Sequence, residues 1–155
     1  MVEGKRPGGL TALAVINFIF GGLNALSVLG LVAALALVGV VESTSGEGDD
    51  GFREVAKAFE EIGLGYLYLI LAISLVEAIL LVVSGVGYLK QKRFLGRKLG
   101  NTYGILAIAG GLLGAFTISA EAGGGLSMGT IAGLIYPALT LILLNGTFKE
   151  DFINP

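Results

Sequence analysis

The 155-residue chain contains no cysteine, no histidine and no tryptophan. Without cysteine, neither a disulfide nor a thiol nucleophile is available. Without histidine, the commonest neutral-pH acid/base, the commonest metal ligand and the usual haem ligand are all missing. Charge is scarce as well. Charged residues make up 14% of the chain, where soluble domains carry about 25%. These absences point away from catalysis and metal chemistry, and no cofactor is expected.

What is present is apolar. Hydrophobic residues supply 54% of the chain, and the mean hydropathy is +0.85. The few charges are segregated. Pro7 to Val41 runs 35 residues without one, Ile62 to Leu89 carries only Glu77 in 28, Leu99 to Ala120 has none in 22, and Ala122 to Phe148 none in 27. A helix needs about 20 mainly apolar residues to cross the hydrocarbon of a bilayer. Barrel strands would alternate apolar and polar residues, which Leu29 to Val41 and Leu67 to Val76 do not. The expectation is therefore an all-α integral membrane bundle of four transmembrane helices. The helices are placed at about residues 10–41, 62–89, 99–120 and 128–144, forming one domain over residues 1–155. Lys5-Arg6 before an apolar run resembles a secretory signal, but the apolar run exceeds the roughly 7–15 residues of a signal. An uncleaved first helix is the better reading.

The segment between the first two spans, residues 42–61, holds seven acids and two bases. After Ser43, Thr44, Ser45 and Gly46, Asp49 or Asp50 can cap a short helix. Phe52, Val55, Ala56, Phe59 and Ile62 recur at helical spacing, predicting an amphipathic helix that lies on the membrane or caps the bundle. Lys90, Lys92, Arg93, Arg97 and Lys98 form a basic loop between the second and third spans. Basic residues concentrate on the cytoplasmic side of short loops. With Lys5, Arg6 and Lys149, eight bases fall inside against Arg53 and Lys57 outside. Both termini are thus expected in the cytoplasm, and residues 42–61 and 121–127 outside, in a bacterial or archaeal cell membrane.

Glycine supplies 26 residues. In lipid, small residues let helix backbones approach closely. Gly100, Gly104, Ala107, Gly111 and Ala115 share one face of the third span, and Gly129 and Gly133 lie four apart on the fourth. A close hairpin of these two helices is expected. Pro137 removes a hydrogen bond to the Gly133 carbonyl and is expected to kink the fourth helix beside Tyr136. Asn17 is read as marking the shallow end of the first helix, and Phe148 to Pro155 as a short polar tail. None of the glycine clusters has the strand-to-helix context and the lysine of a phosphate loop.

Glu77 falls near the middle of the second span. Intramembrane carboxylates face a bundle interior, a partner or a pathway. Asn24 and Ser27 of the first span lie at similar depth, and Asn24 can hydrogen-bond either protonation state. The bland alternative is a neutral Glu77 acting as interhelical glue or as a contact to a partner subunit. Asn145-Gly146-Thr147 matches a glycosylation acceptor, but its expected cytoplasmic side makes the match irrelevant. In size and topology the chain resembles the small multidrug-resistance transporters, which also carry an intramembrane glutamate. Theirs stands in the first helix among aromatic residues, whereas here it is in the second and there is no tryptophan, so no role is carried over. Two functions are expected in order: a small accessory or structural subunit of a larger membrane assembly, then a small oligomeric proton- or cation-coupled transporter or channel using Glu77. The expected partners are membrane lipids and partner membrane subunits or further copies of the chain, not nucleic acid.

Overall fold

The structure is a computed structural model, which describes residues 7–43, 50–119 and 128–154. Among these residues it is all-helical, with α1 over Gly8–Ser43, α2 over Asp50–Ile62, α3 over Leu64–Leu89, α4 over Leu99–Ser119 and α5 over Met128–Asn145. Residues 44–49 and 120–127, which hold the expected turn after the first span and the connection around Glu121, lie outside the described residues.

Among the described residues, two helices are long and apolar enough to cross a membrane, α1 over Gly8–Gly39 and α3 over Leu64–Leu89. Only 11% of the most apolar stretch of α1 and 22% of that of α3 is buried within the protein. A soluble core helix would bury its apolar side chains against neighbours, because apolar surface left in water costs roughly 25 cal/mol per Å². Leu23, Leu26 and Leu29 on α1 and Leu69, Leu75 and Ile79 on α3 are instead exposed.

The helix boundaries differ little from the charge pattern. α1 starts two residues earlier than expected and runs on to Ser43, 36 residues, or about 54 Å at the usual rise. α2 begins at Asp50, one of the two candidate caps; the other, Asp49, lies outside the described residues, and Gly63 separates α2 from α3 with φ +85. That left-handed backbone is open to glycine without steric cost, so Gly63 marks the break between α2 and α3.

The described residues fall into two compact units. Residues up to Gly22 and from Glu77 onward form one, and Leu23–Val76 forms the other. In the second unit, α2 presents half-buried Ala56 and Phe59, with Glu54, Lys57, Glu60 and Glu61 exposed or nearly so.

The core sits in the first unit, where Leu10, Leu13 and Ala14 of α1 pack with Tyr88, Leu144 and Phe152. Glycines set the helix spacing. A Cβ on Gly21 would stand 3.0 Å from Val82 and 3.3 Å from Leu81, so α1 and α3 touch there. On α4, a Cβ at Gly104 would meet Leu141 at 2.7 Å, and one at Gly111 would meet Leu134 at 2.9 Å. A Cβ at Gly100 would strike the Tyr88 hydroxyl and Leu144. The glycine face of α4 is thus filled by large side chains of α5, knobs seated in notches. Gly133 corrects one expectation: it is exposed with nothing within 4 Å, so it takes no part in the packing of the hairpin. Leucines, not small residues, make the α5 side of the contact. Pro137 is buried within a helix that runs on to Asn145.

Candidate functional site

The basic loop is not a loose linker. Gln91 turns the chain with φ 48, and the amide of Lys92 donates to the Gly87 carbonyl at 2.9 Å. Arg93–Lys98 then winds into one π-helical turn that leads directly into α4. Its backbone presses on that of α3: a Cβ on Gly87 would lie 2.5 Å from the Gly96 Cα, and one on Gly96 would lie 3.0 Å from the Gly87 carbonyl carbon. Glycine at both positions is what allows this approach.

The C-terminal segment closes the same end. It was expected to be a polar tail, yet Phe152 is buried, stacked at an angle 6.1 Å from the Tyr88 ring. Backbone bonds hold it there. Arg93 donates to the Asn154 carbonyl at 2.8 Å and Asn154 to that of Gln91 at 3.1 Å, while the Gln91 side-chain amide donates to the Asp151 carbonyl at 3.1 Å. The polar residues of this segment satisfy the turn, and its one buried aromatic plugs the helix ends.

Above that plug lies a buried polar cluster drawn from α1, α3 and α5. Asn17, Ser84 and Thr140 are completely buried. The Tyr136 hydroxyl donates to the Asn17 side-chain oxygen. The Asn17 amide donates to the Ser84 hydroxyl at 2.8 Å, and Ser84 donates to the Leu81 carbonyl at 3.2 Å. The Asn17 amide orientation is the one that satisfies both neighbours. Thr140 returns its hydroxyl to the Tyr136 carbonyl of its own helix at 2.9 Å. The result is a directed run of donors from α5 through α1 to the backbone of α3. The Tyr88 hydroxyl is buried beside Ser84 and Asn17 without a hydrogen bond of acceptable geometry, and it faces the notch of Gly100. Aromatic rings flank the cluster, with Phe20 4.7 Å and Tyr103 6.2 Å from the Tyr136 ring. Every group in the chain of bonds is neutral. Such a network rigidifies helix contacts in a low-dielectric interior.

Asn17 is the hub of this interior cluster: its side chain accepts from Tyr136 and donates to Ser84, joining α5 to α3. The other expected polar residues are placed as follows. Glu77 is half-buried on α3, engaged by neighbours and within electrostatic range of Tyr103. Asn24 is half-buried, and Ser27 is exposed and donates to the Leu23 carbonyl of its own helix at 3.1 Å. Among the described residues, no group of three or more Asp or Glu carboxylates gathers.

Sequence reading missed Ser84, Tyr88 and Thr140 altogether. The available signal was a matched depth, since Asn17, Ser84, Tyr136 and Thr140 all fall within about three turns of the helix ends that meet the basic residues. No protein-family model matches the chain, and neither a curated protein nor a solved structure is similar to it.

Proposed function

We propose that the chain is a four-span membrane protein of a bacterial or archaeal cell membrane with both termini cytoplasmic. In this reading it serves as a small, non-catalytic accessory or structural subunit of a larger membrane assembly. The observation that carries the reading is the buried cluster of Asn17, Ser84 and Tyr136, whose neutral groups are spent on tying three helices together. A proton path needs groups that change charge near neutral pH, and the amide and hydroxyls of this cluster do not. The exposed apolar faces of α1 and α3 support insertion. α4 and α5, of 21 and 18 residues, are close to the roughly 20 residues a span requires, and expose Ile105, Leu113, Ile135 and Ile142. The eight-to-two division of bases supports the orientation.

The test is purification from native membranes in mild detergent with mass measurement of the intact particle. Another polypeptide at fixed stoichiometry supports the subunit reading, and a lone homo-oligomer overturns it. The second reading is a proton- or cation-coupled transporter, favoured by Glu77 lying half-buried within the apolar helix α3. Ion flux in proteoliposomes that disappears in Glu77→Gln would support it.

A further inference from the structure

The outer surface where α4 and α5 meet the basic end combines two features. Asn101 and Asn145 exchange side-chain hydrogen bonds, Asn101 donating at 3.1 Å and Asn145 at 2.9 Å. The Asn145 amide also donates to the Leu141 carbonyl at 2.8 Å, which fixes the pair on the helix surface. Arg97 donates one N–H to the Asn145 oxygen at 3.4 Å, a contact that uses one of the five donors of the guanidinium. Lys98 places its ammonium 5.7 Å over the ring of Phe94, and that ring is 56% exposed on the basic turn. About one helical turn further along, the surface becomes apolar: Ile105 follows Asn101 by four residues and Ile142 precedes Asn145 by three. They are 63% and 65% exposed.

We infer that this surface holds an anionic phospholipid, with its phosphate at Arg97 and Lys98 and an acyl chain along Ile105 and Ile142. The inference rests on the four-span reading, which puts α4 and α5 in the bilayer. Charge complementarity selects an anionic headgroup, since the turn from Lys90 to Lys98 holds five cations and no acid. The apolar continuation selects a lipid over a soluble phosphate. An exposed aromatic ring at this level suits the membrane interface, where amphipathic and aromatic side chains anchor. The Asn101–Asn145 pair holds Arg97 in place and supplies neutral hydrogen-bonding edges beside the phosphate.

The experiment counts lipid bound to the full chain by native mass spectrometry in neutral detergent, using phosphatidylglycerol, phosphatidylcholine and inorganic phosphate. One phosphatidylglycerol should be retained in preference to phosphatidylcholine, and inorganic phosphate at equal concentration should not displace it. Each basic residue near an anionic surface contributes about 1 kcal/mol, so Arg97→Gln/Lys98→Gln should weaken retention by about fivefold per charge. Lys90→Gln/Lys92→Gln removes the same charge and should change it by less than about twofold, if the site is local rather than a diffuse attraction. Equal retention of the two lipids, displacement by phosphate, or equal loss in both double variants overturns the site. Should the Arg97 variant fail to fold, Lys98→Gln alone tests the same point, because its ammonium lies over Phe94 on an exposed side chain. A cysteine at Ile142 separates the two readings. If it is shielded from a water-soluble maleimide in membrane vesicles while phosphatidylglycerol preference is absent, only the lipid site falls. If it is labelled freely, the bilayer placement of α5 falls.

Discussion

An alanine at Gly87 would drive its methyl group into the backbone of the π-helical turn, 2.5 Å from the Gly96 Cα. Backbone cannot rotate away as a side chain can, so α3 and the turn must separate. Separation also releases the Lys92 bond to the Gly87 carbonyl and loosens the cradle around Phe152. Overpacking a close contact costs about 1–3 kcal/mol, and the upper end applies where every neighbour is main chain. For a chain of this size each kcal/mol moves Tm by about 2–4 °C, which predicts a fall of about 6–12 °C. The assay is thermal unfolding in mild detergent, with Gly22→Ala as control because nothing lies within 4 Å of its Cβ position. The control should stay level or rise, since alanine favours helix over glycine by about 0.8–1.0 kcal/mol in exposed helices. Equal Tm values for the two variants would refute the close backbone contact.

Other perturbations address the remaining elements. Tyr136→Phe and Asn17→Leu, combined in a double-mutant cycle, should show a coupling of about 0.6 kcal/mol and no more than about 1.7 kcal/mol, the average and the maximum for interhelical hydrogen bonds in membranes; zero coupling would remove the bond between them. Phe152→Ala should cost about 3–5 kcal/mol, the range for emptying an aromatic site in a core, and unfolding midpoints equal to wild type would show that the C-terminal segment is not a plug. Gly111→Leu should separate α4 from Leu134 of α5 and abolish a crosslink between the two helices, whereas a crosslink of undiminished yield would place Gly111 elsewhere. Glu77→Gln should leave assembly intact in detergent and leave ion flux unchanged, and a flux lost with assembly intact would move the account to the transporter reading.

The helices were legible because charge is segregated: charged residues bound each apolar run, so α1 and α3 could be placed within two residues. α2 was legible for a different reason, the helical recurrence of Ala56, Phe59 and Ile62 against charged positions. The glycine face of α4 could be read as a packing face, but its complement could not. A notch is filled by whatever large side chain opposes it, and Leu134, Leu141 and Leu144 look in sequence like any leucines of a lipid-facing helix. Gly133 was assigned to that contact by spacing alone, and spacing does not reveal which face meets a neighbour.

The polar cluster was hidden by the same ambiguity. Asn17, Ser84 and Thr140 are single polar residues in apolar helices, and only the rotation of each helix decides whether they meet. The docking of Phe152 depends on the turn at Gln91 and on main-chain bonds to Asn154, which leave no periodic trace. Glu77 drew attention because a charge in an apolar run stands out, whereas a neutral amide that organises the interior does not.

Four spans with both ends cytoplasmic is the claim on which the rest depends, and single-cysteine labelling from either side of the membrane tests it directly. The chain has no cysteine of its own, so each introduced thiol reports one position. Cysteines at Ser45 and Ser127 should react with an impermeant maleimide added outside, and those at Lys92 and Lys149 only after the cytoplasmic face is opened. Labelling of Ser45 and Lys92 from the same side would contradict a membrane crossing by α3, and labelling of Ser127 and Lys149 from the same side would contradict one by α5.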